Sequence, residues 1–378
     1  MRYLLLIWLL LEAFPADLAA QEKVSQREEL SAPVDVYESG VGGYHTYRIP
    51  SLLTTSKGTL LAFTEGRKTS REDLGDNDML LRRSTDHGHS WSKTQLVYEE
   101  GGSRRVTIGN PTAVLDESTG IVWLVVQRDG RDVLVTHSRD DGRTWVNPTN
   151  ITSSVKKAAW GFYAVGPGVG IQIRYGPQRG RLVIPAYHRL TKDKSGPSRA
   201  HMFYSDDPGK SWQLGNDTGE HLNECQVAEV IAEGVSRLVL NARNHWGRSG
   251  NRPDLAGTRI VVRSNDGGQT WGKPVFDKKL IEPQCQGSLI RYSWKGPNET
   301  SRLLFCNPAA RSRSNLTLRL SFDEGLTWTR QRLIYKGSSA YCALARLANG
   351  NIGVLYERDS YARISFQQLP LAWLEAGK

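Results

Sequence analysis

Carboxylate and guanidinium groups crowd one short segment, Arg67–Asp78, which reads Arg-Lys-Thr-Ser-Arg-Glu-Asp-Leu-Gly-Asp-Asn-Asp. Acidic side chains on a loop are suited to general acid–base chemistry, in which a carboxyl group gives up a proton and later recovers it. The thiols of Cys225, Cys285, Cys306 and Cys342 lie far apart, and none has the C-x-x-C spacing of a zinc site. The sequence therefore predicts no metal centre. Cys285 and Cys306 could pair in an oxidising compartment, but small buried side chains are the simpler interpretation.

The first 20 residues predict export. Arg2 precedes the apolar run Leu4–Leu11, and two alanines precede Gln21, a pattern typical of a secretory signal peptide. That run is too short to span a bilayer, and no later stretch approaches the roughly 20 apolar residues that a spanning helix needs. We therefore expect a signal peptide at 1–20, a mature domain at 21–378 and no membrane span. The destination would be secreted, lysosomal or periplasmic.

The charge of the chain favours anionic partners, because its formal net charge is +10 at pH 7. Nucleic acid is disfavoured as that partner. Basic residues never run beyond pairs such as Arg82-Arg83, and no helical basic stripe or nucleic-acid motif is present. Glycosylation sequons, which would carry glycans in a eukaryote, begin at Asn150, Asn216, Asn298 and Asn315.

One eight-residue pattern, Ser-x-Asp-x-Gly-x-Ser/Thr-Trp, organises the chain. Its five copies are Ser84–Trp91, Ser138–Trp145, Ser205–Trp212, Ser264–Trp271 and Ser321–Trp328. The intervals of 54, 67, 59 and 57 residues each accommodate one four-stranded blade. Within a copy, the Asp carboxylate can accept backbone N–H groups, the Gly can supply a positive φ and the Trp can cover a hairpin. The pattern is therefore expected to be structural and not catalytic.

Each copy of this Asp box follows a strand-like run with period-two or apolar character. The runs begin at Asp78, Arg131, His201, Arg259 and Asn315. Five boxes imply at least five blades, and the strand-rich segments Thr59–Thr64 and Gly350–Glu357 are available to close a sixth, which would remove the open sheet edge. Helix signals are nearly absent, with Leu371–Ala376 the only short candidate. The prediction is an all-β, single-domain, six-bladed β-propeller.

The segment Tyr47-Arg48-Ile49-Pro50, together with the Asp boxes, resembles the sialidase (neuraminidase) superfamily over nearly the whole mature chain. Gly109-Asn110-Pro111, Gly166–Gln172 and Asn307-Pro308 are similar to its animal and bacterial exo-sialidase branch. The resemblance implies a retaining exo-α-sialidase that acts on sialylated glycoproteins, oligosaccharides or gangliosides. It implies no metal and no organic cofactor.

The same resemblance implies three arginines that bind the substrate carboxylate, and residue by residue they fall on Arg48, Arg243 and Arg311. Planar guanidinium groups suit this role because they bind carboxylates through directional, charge-assisted hydrogen bonds. Glu357 matches the family carboxylate that holds the first arginine in place. Such a partner is needed because a buried guanidinium without a counter-charge is costly.

The resemblance also implies a tyrosine nucleophile at Tyr341 and a partner base at Glu224. A carboxylate nucleophile would be repelled by the substrate carboxylate. A phenol with a pKa of about 10 needs a neighbouring base to take its proton at neutral pH. The acid and base that serves the leaving oxygen falls on Asp73, with Asp76 as the alternative.

Arg67 and Asn110 match family positions that line the pocket near the outer substituents of the sugar. Two other functions stay open at this point. The first is a non-catalytic Asp-box propeller that acts as a receptor or lectin, and the second is a transferase that passes the sugar to another acceptor. A binder has no need of Tyr341 beside Glu224, whereas Asp boxes alone do not separate these functions.

Overall fold

A computed structural model of the chain describes residues 30–102, 104–191, 196–248 and 250–377. The predicted signal peptide lies outside these residues. From Ser31 onward the chain belongs to one unit, which is built almost entirely of β-strands. The short helices are α1 (Thr152–Val155) and α2 (Leu371–Glu375), with 3-10 turns at Pro253–Leu255 and Asp359–Tyr361. The predicted C-terminal helix is thereby confirmed, whereas α1 was not expected.

The strands of the first half of the chain alternate with short turns. They are β1 (Val34–Glu38), β2 (Thr46–Thr54), β3 (Leu60–Arg67), β4 (Asn77–Ser84), β5 (Gln95–Tyr98), β6 (Ile108–Leu115), β7 (Val122–Arg128), β8 (Asp132–Ser138), β9 (Thr149–Asn150), β10 (Tyr163–Val165), β11 (Gly168–Val169), β12 (Ile171–Gln172) and β13 (Leu182–Arg189).

The second half continues the same pattern to the C-terminus. Its strands are β14 (Ser198–Ser205), β15 (Gln213–Glu220), β16 (Leu222–Ala232), β17 (Val235–Asn244), β18 (Thr258–Ser264), β19 (Val275–Ile281), β20 (Ser288–Ser293), β21 (Arg302–Pro308), β22 (Ser314–Ser321), β23 (Arg330–Arg346), β24 (Ile352–Arg358) and β25 (Arg363–Leu369). Each of the five strand-like runs before an Asp box is a strand, so these predictions are confirmed.

Neighbouring strands form small sheets that are antiparallel almost throughout. The strand orders are β2-β3-β4-β5, β11-β6-β7-β8-β9, β10-β13-β14-β15 with β12 beside β13, and β16-β17-β18-β19. A further sheet has the order β1-β25-β24-β23-β22-β21-β20. Its long strand β23 changes partner partway along, because Ser338 is paired with β22 and Ser339 with β24.

The innermost strands contact one another in a closed succession. β2 packs against β6, β6 against β10 and β13, β13 against β16, β16 against β20, β20 against β23, and β23 again against β2. The chain therefore has an all-β, propeller-like arrangement of small sheets. Closure is provided by β1, which pairs antiparallel with β25. The expected use of Thr59–Thr64 for this purpose was wrong, since that segment lies in β3 between β2 and β4.

The hydrophobic core lies between adjacent sheets. Leu81 of β4 and Leu124 of β7 belong to one hydrophobic cluster, and Val125 of β7 and Phe203 of β14 belong to another. All four cysteines are buried and unpaired, so the simpler interpretation of these residues as packing side chains is confirmed. Among the described residues, no helix is long and apolar enough to cross a membrane.

The Asp boxes are self-contained turns, each of which connects two consecutive strands of one sheet. In the first copy, Ser84 Oγ donates to Asp86 Oδ1 (2.7 Å), Gly88 N donates to Ser84 Oγ (2.8 Å) and Ser90 N donates to Asp86 Oδ1 (3.0 Å). The other four copies repeat these three bonds. Gly88 has a φ of 90°, and a Cβ there would lie 2.0 Å from the Phe366 ring of the adjacent sheet. The predicted structural role is confirmed.

Candidate active site

Arg48 is fixed near the start of β2 by a buried carboxylate of β24. Glu357, which is 0% exposed, accepts Arg48 Nε (2.7 Å) and Ile49 N (2.8 Å) on one oxygen and Tyr341 N (3.0 Å) on the other. Burial acts to lower the pKa of Arg48, but the Glu357 charge more than offsets it and holds that pKa above its usual value. Arg48 is therefore a permanent cation, and one carboxylate aligns it with the Tyr341 backbone.

Tyr341, in β23, faces a carboxylate from β16 and a guanidinium from β17. Its hydroxyl donates a short hydrogen bond to Glu224 Oε1. Arg243 Nη1 donates to Glu224 Oε2 (2.7 Å) and to Tyr341 Oη (3.2 Å). Burial raises the pKa of Tyr341 well above its usual value and the Glu224 charge adds to this, whereas Arg243 opposes it. The phenol is therefore protonated at neutral pH, and Glu224 is in place to take its proton.

Arg311 does not join this group, and Arg313 does. Arg311 is exposed and its Nη1 donates to Ala256 O (3.2 Å), outside the contacts of Tyr341. The Arg313 Cζ atom lies 5.5 Å from the Tyr341 ring centroid. The physical reason is a backbone bond between Ser339 N and Arg313 O (2.9 Å), which places Arg313 beside the segment that leads to Tyr341.

The expected position of Arg311 in this group is therefore wrong, and Arg313 lies there instead. Counting forward from Asn307-Pro308 led to the first arginine of the turn. The sequence feature that could have identified Arg313 is its position directly before the strand pattern of β22, which begins at Ser314.

Glu65 binds Arg67 and Asn110, two residues that the sequence analysis identified, whereas Glu65 itself was not predicted. Its Oε2 accepts Arg67 Nη2 (2.7 Å), and its Oε1 accepts Asn110 N (2.8 Å). A Cβ on Gly109 would lie 2.5 Å from Glu65 Oε1, so glycine is required for this approach. Burial raises the pKa of Glu65, and the Arg67 charge opposes that rise. The spacing Glu65-x-Arg67 in β3, which puts both side chains on one face, was the available signal.

Asp73 lies on the loop between β3 and β4, where its side chain is 70% exposed and 3.2 Å from Arg67 Nη1. The neighbouring carboxylates have structural partners. Asp76 accepts Lys68 Nζ (3.0 Å), and Asp78 accepts the same nitrogen (3.1 Å). Of these three acids, Asp73 is thus the one that presents its carboxylate to solvent at a loop tip.

Tyr187, in β13, is a buried phenol whose pKa responds to the charges of several residues of the candidate site. Burial raises the pKa of this phenol well above its usual value, and the charges of Glu224 and then Asp73 raise it further, while Arg243 opposes them. Both carboxylates therefore act on one buried ring.

Three guanidinium groups surround Tyr341. The Arg48 Cζ lies 5.3 Å and the Arg313 Cζ 5.5 Å from the ring centroid, and Arg243 contacts the hydroxyl. Glu357 and Glu224 balance two of them, whereas no carboxylate in the described part of the chain forms an ion pair with Arg313. Arg243 Nε is buried and without a hydrogen-bond partner among these residues. The cluster has excess positive charge and unused N–H groups, as a carboxylate-binding site requires.

The site is distinct from a cavity of about 310 Å³ at the opposite ends of the same inner strands. That cavity is lined by residues such as Leu53, Glu117 and Arg346, and it shares none with the arginine cluster. In the described residues, no group of three or more His, Cys, Asp or Glu side chains could hold a metal ion.

Residues 58–354 match the model of the BNR repeat-like domain. The chain is 34% identical to a sialidase of Micromonospora viridifaciens over 372 residues, a match that covers 92% of this chain and 55% of that protein. It is also 31% identical to sialidase-2 of Mus musculus, with 86% of this chain and 92% of that protein covered. The chain thus spans little more than half of the Micromonospora protein and most of the mouse protein.

A solved structure, the Hadza microbial sialidase Hz136, superposes with a TM-score of 0.79 at 31% sequence identity. The superposition covers 90% of this chain and 69% of that one. The similarity thus extends over most of the chain.

Proposed function

Because the chain belongs to the sialidase family, we propose that it is a retaining exo-α-sialidase that hydrolyses terminal sialic acid from glycoconjugates. One observation carries the proposal: the hydroxyl of Tyr341 donates to Glu224 Oε1 within a cluster of three guanidinium groups. Sialic acid carries a carboxylate on its anomeric carbon. A site that holds this group with cations therefore brings that carbon to the phenol.

We propose that Arg48, Arg243 and Arg313 bind the substrate carboxylate. The excess positive charge and the unpartnered Arg243 Nε support this, because charge-assisted hydrogen bonds to a carboxylate would satisfy both. Arg67 and Asn110, joined by Glu65, are assigned to the part of the pocket that faces the outer substituents of the sugar. The proposed substrates are sialylated glycoproteins, oligosaccharides or gangliosides.

In the first chemical step, Tyr341 Oη attacks the anomeric carbon while Glu224 takes the phenolic proton. The glycosidic C–O bond breaks, and Asp73 protonates the departing oxygen. The raised pKa of Tyr341 explains why the base is needed, since the phenolate does not form by itself at neutral pH. The permanent charge of Arg243, 3.2 Å from Oη, stabilises the negative charge that develops there.

In the second step, the Asp73 carboxylate takes a proton from water as the water oxygen attacks the same carbon. The bond to Tyr341 breaks, and its oxygen recovers the proton from Glu224. Two inversions give a product with the configuration of the substrate, so the enzyme is retaining. The exposed loop position of Asp73 supports both of its roles, because water and leaving groups of different size reach it.

The proposal also covers the number of blades and the export of the chain. We propose six blades, and the change of partner in β23 at Ser338 and Ser339 supports this number, because it divides the long sheet into β20-β21-β22-β23 and β23-β24-β25-β1. We also propose that the chain is exported by the segment 1–20 and works outside the cytoplasm.

The Tyr341–Glu224 pair favours an enzyme over a receptor or lectin, which would need only the arginines.

The test is release of fluorophore from a 4-methylumbelliferyl sialoside by the purified chain. Tyr341→Phe removes the nucleophile and should lower kcat by about a hundredfold or more. Tyr292→Phe is the control, because it also removes a buried hydroxyl, one bonded to Gly350 O far from the cluster. A wild-type protein that is inactive across pH 4 to 8 refutes the proposal, and mass analysis of the products separates hydrolysis from transfer.

A further inference from the structure

The turn between β24 and β25 is strained. Asp359, Ser360 and Tyr361 have φ values of 54°, 55° and 73°, so three consecutive residues other than glycine adopt the left-handed region. This region is unfavourable for L-residues with a side chain, and it is rarely occupied in runs. Strain of this kind persists where the surroundings impose it, and such places are frequently functional.

The surroundings of this turn do impose its conformation. The Asp359 carboxylate accepts hydrogen bonds from Tyr335 Oη and Arg358 Nη1. Ser39 Oγ donates to Tyr361 O (2.8 Å), which fixes the last residue from the opposite terminus of the chain. The backbone of Tyr361 is therefore held from both sides, and the direction of its side chain is set.

That side chain touches two of the three arginines. The Arg48 Cζ atom lies over the Tyr361 ring, 4.3 Å from its centroid. The Tyr361 hydroxyl accepts a hydrogen bond from Arg313 Nη1 (3.0 Å). The ring also packs against the small buried cluster that contains Tyr341. One residue thus determines how far apart two guanidinium groups stand beside the phenol.

The chemical type of Tyr361 suits this place. Arg48 and Arg313 repel each other, so a group between them must hold both. A carboxylate would do so at the cost of neutralising them. A neutral phenol offers a π face to one cation and an oxygen lone pair to the other, and the positive charge stays available. Arg313 has only neutral acceptors within the described residues, the Tyr361 hydroxyl and Gln284 O (3.4 Å).

We propose that Tyr361 is a positioning residue that sets the spacing and orientation of Arg48 and Arg313 for the carboxylate of the substrate. This inference rests on the proposed function. Tyr361 makes no contact with reacting atoms. Its effect is therefore on binding of the carboxylate, which is held alike in the ground state and in the transition state.

The test compares Tyr361→Phe, which removes the hydroxyl, with Tyr361→Leu, which also removes the ring. We expect KM to rise about fivefold to tenfold in the first variant, with kcat within about twofold of wild type, because uniform binding is lost. The second variant should show a larger rise in KM. Tyr98→Phe is the matched control, since it removes a hydroxyl bonded to Glu100, a carboxylate outside the cluster.

Binding is measured in parallel by calorimetry with the 2,3-didehydro-2-deoxy analogue of sialic acid, which keeps the carboxylate and needs no turnover. Its Kd should rise by the same factor as KM. Unchanged KM and Kd in Tyr361→Phe overturn the inference and leave the proposed function intact. A lower kcat or thermal stability with unchanged KM indicates a merely structural residue and also overturns it. A wild type that neither hydrolyses a sialoside nor binds the analogue refutes the proposed function and the inference together.

Discussion

Replacing Glu357 by Gln tests the buried ion pair that fixes Arg48 in the candidate site. The carboxylate is 0% exposed and accepts three donors, Arg48 Nε, Ile49 N and Tyr341 N. Glutamine keeps the shape but has one acceptor oxygen and an amide group that only donates on the other side. If its oxygen keeps the first two donors, its amide faces Tyr341 N and that N–H loses its acceptor.

The magnitude follows from two losses. Removing one partner of a buried ion pair leaves an uncompensated charge on Arg48, which costs about 3–5 kcal/mol. The unsatisfied N–H of Tyr341 costs about 1–3 kcal/mol, and it is part of the same disruption, so the two figures do not add. We expect the free energy of unfolding to fall by about 3–5 kcal/mol and the KM to rise.

The assay is equilibrium unfolding in urea at pH 7, with Glu233→Gln as the control. The Glu233 side chain is 84% exposed and pairs with Arg237 at 3.0 Å on the surface. Such a pair contributes about 0.5 kcal/mol or less. If Glu357→Gln loses less than about 1 kcal/mol, the Glu357 carboxylate does not hold Arg48 in the way described.

Two further predictions concern the third arginine and the Asp boxes. Arg313→Lys removes the planar guanidinium group and should raise KM about tenfold to a hundredfold. Arg311→Lys is the control and should change KM by less than about twofold. Equal effects in the two variants would contradict the assignment to Arg313. Burial acts to raise the pKa of Asp86, but hydrogen bonds from Ser90 and Ser84 lower it to about 2, below the unfolded value of about 3.9. Its stabilisation is therefore present above about pH 4 and is lost as the pH falls towards 2, so the stability difference between wild type and Asp86→Asn should shrink as the pH falls from about 4 to about 2. A difference that does not change over this range would refute the prediction.

Much of the architecture could be predicted because it depends on local interactions. An Asp box closes through bonds among residues within a few positions of one another, so Ser84, Asp86 and Gly88 specify the turn by themselves. The strands before the boxes follow from side-chain alternation over a few residues. Closure by β1 and β25 was not predictable in detail, because it depends on which distant segments meet.

That Arg48, Glu224, Arg243 and Tyr341 lie together could be predicted, because a motif fixes each of them. The site was not predictable where a long-range backbone bond decides. Arg311 and Arg313 share one short turn, and the bond from Ser339 N selects the second. Tyr361 and Glu65 belong to no motif. They act by contact with arginines from other parts of the fold, and these contacts exist only once the sheets have assembled.

The most direct measurement is mass spectrometry after incubation with a 2,3-difluorinated sialic acid, because fluorine at carbon 3 slows hydrolysis of a covalent intermediate. We expect one added sugar on the tryptic peptide 337–346, with fragmentation that places it on Tyr341 and not on Cys342. An active enzyme that carries the sugar on another residue, or forms no adduct, would contradict the proposed role of Tyr341 as the nucleophile.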